Sequence, residues 1–203
     1  MGIVKSKGNG YHTFMDHIAP NFMYNTMRPS EYIQYCWNQY QAAPVEHTNS
    51  LNGSVFEIII ATLLVKEGIV PLLLQAQVAF VPNVIFDAVL YTSESGPVAL
   101  SFKTSLRERY KQADLEAIAL KYVHRKAENY LFTMDADEAR AVSEKIAAGA
   151  VMGINRALLV TSTEFDGFID ELKMRRFITP GAIEIITASR VVDEDAINAA
   201  TEQ

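Results

Sequence analysis

The stretch "VIFDAVLYTSESGPVALSFKTSLRERYKQADLE", residues 84–116, decides how this chain folds. Its opening, 84–91, is rich in β-branched and aromatic side chains and reads as a strand. "TSESGP" is turn chemistry, small and polar with Gly and Pro at its end. "VALSFK", 98–103, is strand-like again, so 84–103 is predicted to be an antiparallel pair. A helix of about twenty residues follows from Ser105. Asp87 sits in the middle of the first strand and Lys103 ends the second. Pairing through the 92–97 turn would bring these two charges together at one sheet edge.

Upstream, the first 45 or so residues read as short helices rich in Tyr, Asn and Met. Residues 38–54 read as a loop, punctuated by Pro44 and Gly53. Ser54 is placed to cap a helix running to about Lys66, which Gly68 ends. Residues 69–80 suggest a strand with Pro71 near its start. Downstream, strands are expected at 130–134, 157–162 and 183–188. Helices are expected at 136–149 and 164–175, with one more at the C-terminus. A β-meander leading into β-α-β units predicts an α/β sandwich around a mixed sheet. The length suits a single domain, with a helical segment over 1–47 and the core over 48–203.

The chain has 203 residues, 49% hydrophobic and 21% charged, which permits a large core and argues against disorder. Its longest apolar run, "FEIIIATLLV", is too short to span a bilayer and carries Glu57. "MGIVKSKGNGYHTF" has no apolar segment of the secretory kind. The lone Cys36 excludes an internal disulfide and fits a cytoplasmic protein. His12, His17, His47 and His124 show no zinc spacing with a cysteine. "KSKGNG" lacks the order of a phosphate-binding loop. The net charge of −6 argues mildly against nucleic acid, but binding depends on local field. Residues 103–126 hold seven Lys/Arg and three Asp/Glu, a local +4 that leaves −10 on the remainder. A solvated helix face would explain that asymmetry as well as a polyanion site would.

A strand acid, a lysine ending the neighbouring strand and a following helix resemble the core of the PD-(D/E)XK nucleases. Two positions depart from that pattern. Phe86 stands in place of proline, and Ser101 stands where an acid is expected two residues before Lys103. Glu116 follows Lys103 with twelve residues between, and Arg107-Glu108-Arg109 opens the same helix. This combination resembles the type II restriction endonucleases that cut sites built on CC/GG, in which the metal-binding acid is relocated to the helix.

The resemblance implies a restriction-endonuclease-like α/β/α sandwich with a central mixed sheet and an N-terminal helical part. It implies Mg²⁺, with Mn²⁺ substituting, held by Asp87 and Glu116. Glu57, on the helix before the core strands, is a further candidate for the metal or for a bridging water. Lys103 is the candidate for orienting the attacking water, and Ser101 completes the set of active-site positions. Hydrolysis would leave 5′-phosphates on double-stranded DNA. A palindromic site would favour a homodimer, and the class implies the cytoplasm of a prokaryotic cell.

The residues themselves supply chemical reasons. Carboxylates hold a hard cation that activates water, and a lysine offsets charge growing on the phosphate. On a helical projection Leu106, Tyr110, Ala113, Ala117 and Leu120 form one apolar stripe, flanked by Arg109, Gln112 and Glu116. Arg can bond guanine O6 and N7, and Glu can accept from cytosine N4, so Arg107-Glu108-Arg109 could read adjacent G·C pairs. Lys111 and Gln112 are placed for the DNA backbone. The alternatives stay open. Ser105-x-x-Glu108 is also a capping box, Glu57 could be a helix-surface acid, and Trp37 fits packing better than base stacking. A structure-specific repair or recombination nuclease, a non-cleaving DNA-binding domain and a plain structural domain all remain compatible.

Overall fold

The computed structural model describes residues 8–19, 26–180, 186–193 and 195. The chain order is α1 (Asn9–His17), α2 (Pro29–Ala42), α3 (Asn49–Lys66), β1 (Leu72–Val78), β2 (Phe86–Thr92), β3 (Gly96–Lys103), α4 (Arg109–Val123), β4 (Glu128–Thr133), α5 (Ala136–Ala147), β5 (Arg156–Leu159), α6 (Thr163–Lys173) and β6 (Ile186–Val192). The strands form one sheet in the order β5-β4-β3-β2-β1-β6. β1, β2 and β3 form the antiparallel meander, and β6 adds antiparallel to β1. β3, β4 and β5 run parallel. Parallel neighbours need a crossover, and α4 and α5 supply the two required. The sheet is therefore mixed, as the alternation of strand and helix signals predicts. The expected C-terminal helix and residues 183–185 of the expected last strand lie outside the described residues.

Helices cover both faces of the sheet. On one face Ala88, Leu90, Leu100, Phe102, Phe132 and Leu158 join Phe56, Ile59, Ile60 and Leu63 of α3 and Phe165 and Phe168 of α6. Phe14 of α1 and Tyr32, Ile33 and Cys36 of α2 belong to the same cluster. On the other face Leu131 and Ala157 meet Leu106, Ala113, Ala117 and Val142, while Val89 and Ala99 meet Leu120 and Ala127. α3 is buried nearly all round from Val55 to Leu64, which fits a helix lodged between the sheet and other helices. No helix among the described residues is long and apolar enough to cross a membrane.

Two helix starts differ from the sequence expectation. α3 begins at Asn49, where Thr48 Oγ1 accepts the Leu51 N–H at 3.2 Å, and not at Ser54. α2 runs to Ala42, so only 43–48 connects them. Asn49–Gly53 is a poor helix former by composition. Tertiary contact overrides that weak preference, with the buried Tyr40 hydroxyl donating to Asn52 Oδ1 at 2.6 Å. α4 begins at Arg109, not at Ser105, because Arg107 takes φ +39° and interrupts the helical run. The Ser105–Glu108 capping box is not formed: Glu108 makes no side-chain cap bond.

α4 is pinned from its other side by Asp114. Its Oδ1 accepts the N–H groups of Met152, Gly153 and Ile154 at 3.0, 2.6 and 3.4 Å. Gly153 lies so close to the helix that an added Cβ would stand 2.5 Å from the Asp114 carbonyl oxygen. One acid of the charged cluster in 103–126 is thus committed to holding a loop.

Candidate functional site

The β2–β3 hairpin pairs Thr92 with Gly96 and Ala88 with Leu100. Thr92 Oγ1 accepts the Ser95 N–H at 3.0 Å, and Gly96 takes φ +78°, a value that glycine adopts without strain. Beyond the last pair, the Asp87 side chain takes over from the backbone. Asp87 Oδ2 accepts the Phe102 N–H at 2.6 Å and a hydrogen bond from Lys103 Nζ at 2.8 Å. Both side chains are largely buried, at 13% and 24% exposure, so the pair is better shielded from solvent than a surface salt bridge. The predicted meeting of strand acid and strand lysine is present.

Strand alternation slips beside this pair. In β1, Leu73, Ala76 and Val78 all face the α4 layer, and Gln75 between them takes φ +48°. In β2, Phe86 and Val89 share that layer, with Asp87 at the slip. Gln75 Nε2 donates to Glu57 Oε2 of α3 at 3.2 Å. Burial and then the neighbouring Asp87 charge push the Glu57 carboxyl up to about 7, while Lys103 opposes the shift. Glu57, Asp87 and Lys103 therefore act on one another as a single cluster drawn from α3, β2 and β3.

The other candidates make no hydrogen bond or ion pair with this cluster. Glu116 accepts from Gln112 Nε2 at 2.8 Å within its own helix, and no hydrogen bond or ion pair joins it to Asp87 or Glu57. Ser101 is half-buried on β3, level with Leu131 of β4. Among the described residues no group of three or more His, Cys, Asp or Glu is arranged to hold a metal. Glu57, whose charged form burial and the Asp87 charge disfavour, and Asp87 beside it are of the ligand type a hard dication takes. Mg²⁺ is commonly held by one or two carboxylates, with water and substrate phosphate completing the shell.

Arg107, Glu108 and Arg109 are exposed. Glu108 pairs with Lys111 one turn on, while neither arginine makes an ion pair or hydrogen bond through its guanidinium among the described residues. All three line a groove of about 730 Å³ together with Gln112. The opposite wall is Trp37 and Gln41 of α2 and Asn49 and Asn52 of α3. Trp37 also packs edge-on against Phe56, at 5.9 Å between ring centroids, so it serves both the core and the groove.

The sequence reading named Trp37 but missed the rest of the far wall of the groove. Gln41 and the two asparagines fall in the stretch read as loop, where nothing local marks a site. It also missed Glu138, in the first turn of α5. Its two carboxylate oxygens accept the N–H groups of Leu106 and Arg107, the latter at 2.8 Å. Asp135-x-x-Glu138 shows as a helix start in sequence, and Asp135 caps Glu138 N at 2.9 Å. No sequence signal ties Glu138 to residue 107. No family model, curated protein or solved structure matches this chain.

Proposed function

We propose that this chain is a divalent-cation-dependent, site-specific DNA endonuclease, acting as a homodimer in the cytoplasm of a prokaryotic cell. The observation that carries the reading is the cluster of Asp87, Lys103 and Glu57, three residues of opposed charge gathered from α3, β2 and β3. The nearby Arg-Glu-Arg segment, with neither guanidinium paired among the described residues, supports a DNA-reading role. The restriction-endonuclease-like variant of the α/β fold belongs to the same proposal.

Asp87 and Glu57 are the residues that would hold Mg²⁺ or Mn²⁺, and Glu116 is the helix acid that the family pattern adds. The cation supplies activation of water and charge neutralisation at the scissile phosphate. Lys103 stands 2.8 Å from Asp87, placed to donate to the attacking water or to the oxygen on which charge develops. Asp87 fixes the lysine ammonium, and the Phe102 N–H fixes Asp87 in turn. Arg107, Glu108 and Arg109 read G·C base edges, with Lys111 and Gln112 on the backbone.

A second reading, a DNA-binding domain that does not cut, is favoured by Ser101 in the acid's place and by the hydrogen bond that keeps Glu116 on Gln112. One experiment separates the two. Purified protein is incubated with phage-sized duplex DNA, with and without Mg²⁺, and the products are run on a gel. Discrete metal-dependent fragments are expected. A smear points to a nuclease that ignores sequence, and intact DNA in both Mg²⁺ and Mn²⁺ points to the non-cutting domain. Lys103→Ala is expected to abolish the fragments while a mobility-shift assay still detects site-specific binding.

A further inference from the structure

Arg107 is a non-glycine residue in left-handed backbone, at φ +39°. Such a conformation is disfavoured for a residue with a side chain and persists only where surroundings hold it. Two things hold it here: the Arg109 N–H donates to the Leu106 carbonyl at 2.5 Å, closing the turn, and a carboxylate takes the N–H groups of the turn itself. Glu138 reaches from the first turn of α5 and accepts two consecutive backbone N–H groups, those of Leu106 and Arg107. Leu106 is fully buried in the layer below, so the clamp has a fixed base. Asp135 caps α5 through the Glu138 N–H, which fixes the residue whose carboxylate forms the clamp. The clamped pair sits between Lys103, the end of β3, and Arg109, the start of α4. Nothing else hydrogen-bonds those two N–H groups among the described residues, so Glu138 is their one anchor there, beside the Arg109–Leu106 backbone bond and the buried Leu106 side chain.

We infer that Glu138 is a positioning residue for sequence recognition: its carboxylate holds the strained Leu106–Arg107 backbone so that Arg107, Glu108 and Arg109 present a fixed face to DNA. The inference rests on the endonuclease reading above. Glu138 touches no base itself. Its contribution is pre-organisation, and the loss of a fixed donor pattern removes discrimination between sites more than attraction to phosphate.

The test uses Glu138→Gln in the full chain, with Ser143→Ala as a control. Ser143 lies on the same helix and bonds Ala139 and Ala157, away from the clamp. Three quantities are read: amide hydrogen exchange of the 104–109 backbone without DNA, affinity for the cleaved site, and affinity for a scrambled duplex. In Glu138→Gln, exchange at 106–107 is expected to rise and the ratio of specific to scrambled affinity to fall about tenfold or more. Scrambled affinity, which phosphate contacts dominate, is expected to stay within about twofold. Ser143→Ala is expected to change neither exchange nor ratio. Unchanged exchange, or an unchanged ratio, overturns the role of Glu138 and leaves the endonuclease reading standing. Wild-type protein that binds no duplex at all overturns that reading and this inference with it.

Discussion

Glu57 and Arg109 carry the sharpest consequences among single side chains. Glu57 keeps a proton in the folded protein up to about 7, well above the usual 4.5 for a glutamate. Between those pH values the folded state binds a proton that the unfolded chain has released, so stability falls as pH rises. The full loss is on the order of 3 kcal/mol and is complete once pH passes the folded value. Urea unfolding at pH 5 and pH 8 should show that loss in wild type and not in Glu57→Gln. If Asp87 and Glu57 share a cation, as proposed, millimolar Mg²⁺ at pH 8 should restore part of it by offsetting their repulsion. A Mg²⁺ effect of equal size in Glu57→Gln would remove Glu57 from the cation site. Arg109→Ala should weaken specific binding by about 1–3 kcal/mol if it makes a bidentate base contact, with little change in thermal midpoint. A change in the midpoint alone would assign Arg109 to folding.

Helices and strands show where local sequence suffices and where it fails. The β2–β3 hairpin was legible because strand propensity on both sides agrees with the turn residues at 92–97. That agreement also placed Asp87 beside Lys103. The apolar stripe of α4 was legible too, with Ala113, Ala117 and Leu120 all buried. The start of α4 was not, because Glu138 lies 31 residues from the backbone N–H it holds on Arg107. The start of α3 was hidden because a weak helix former was stabilised from α2. The spacing to Lys103 and the helical projection single out Glu116, and neither shows that Gln112 donates to one of its oxygens. The contact between α4 and the 150–155 loop gives a further prediction. Gly153→Ala forces a methyl within 2.5 Å of helix backbone, so the loop must lift and Asp114 loses donors. A cost of about 1–3 kcal/mol is expected from chemical denaturation, with Gly149→Ala as a comparison whose Cβ meets nothing within 4 Å but whose φ is +73°. Gly149→Ala thus reports strain without close approach and Gly153→Ala close approach without strain, and no loss in Gly153→Ala would show that the loop gives way freely.

Across the molecule, the sequence order of elements predicted a mixed sheet with helices on both faces, and that is what forms. Sequence did not say which helices share a face. α1, α2 and α6 gather on the α3 side because their aromatic residues complete one cluster with the sheet, while α4 and α5 cover the other. The groove between α2, α3 and the start of α4 follows from that distribution, which no local pattern encodes. The sheet also mixes two kinds of pairing. β2 and β3 are joined by a short turn, whereas β1 meets β6 from the far end of the chain. Closing a long loop costs more entropy before any contact rewards it. The hairpin that unites Asp87 and Lys103 is therefore suited to form early in folding, and the outer pairing to form late. Substitutions in the hairpin should then slow refolding, while those in the β1–β6 pairing should chiefly hasten unfolding. The chemistry of this chain would be assembled on its nucleus, with the sheet edge added around a centre already made.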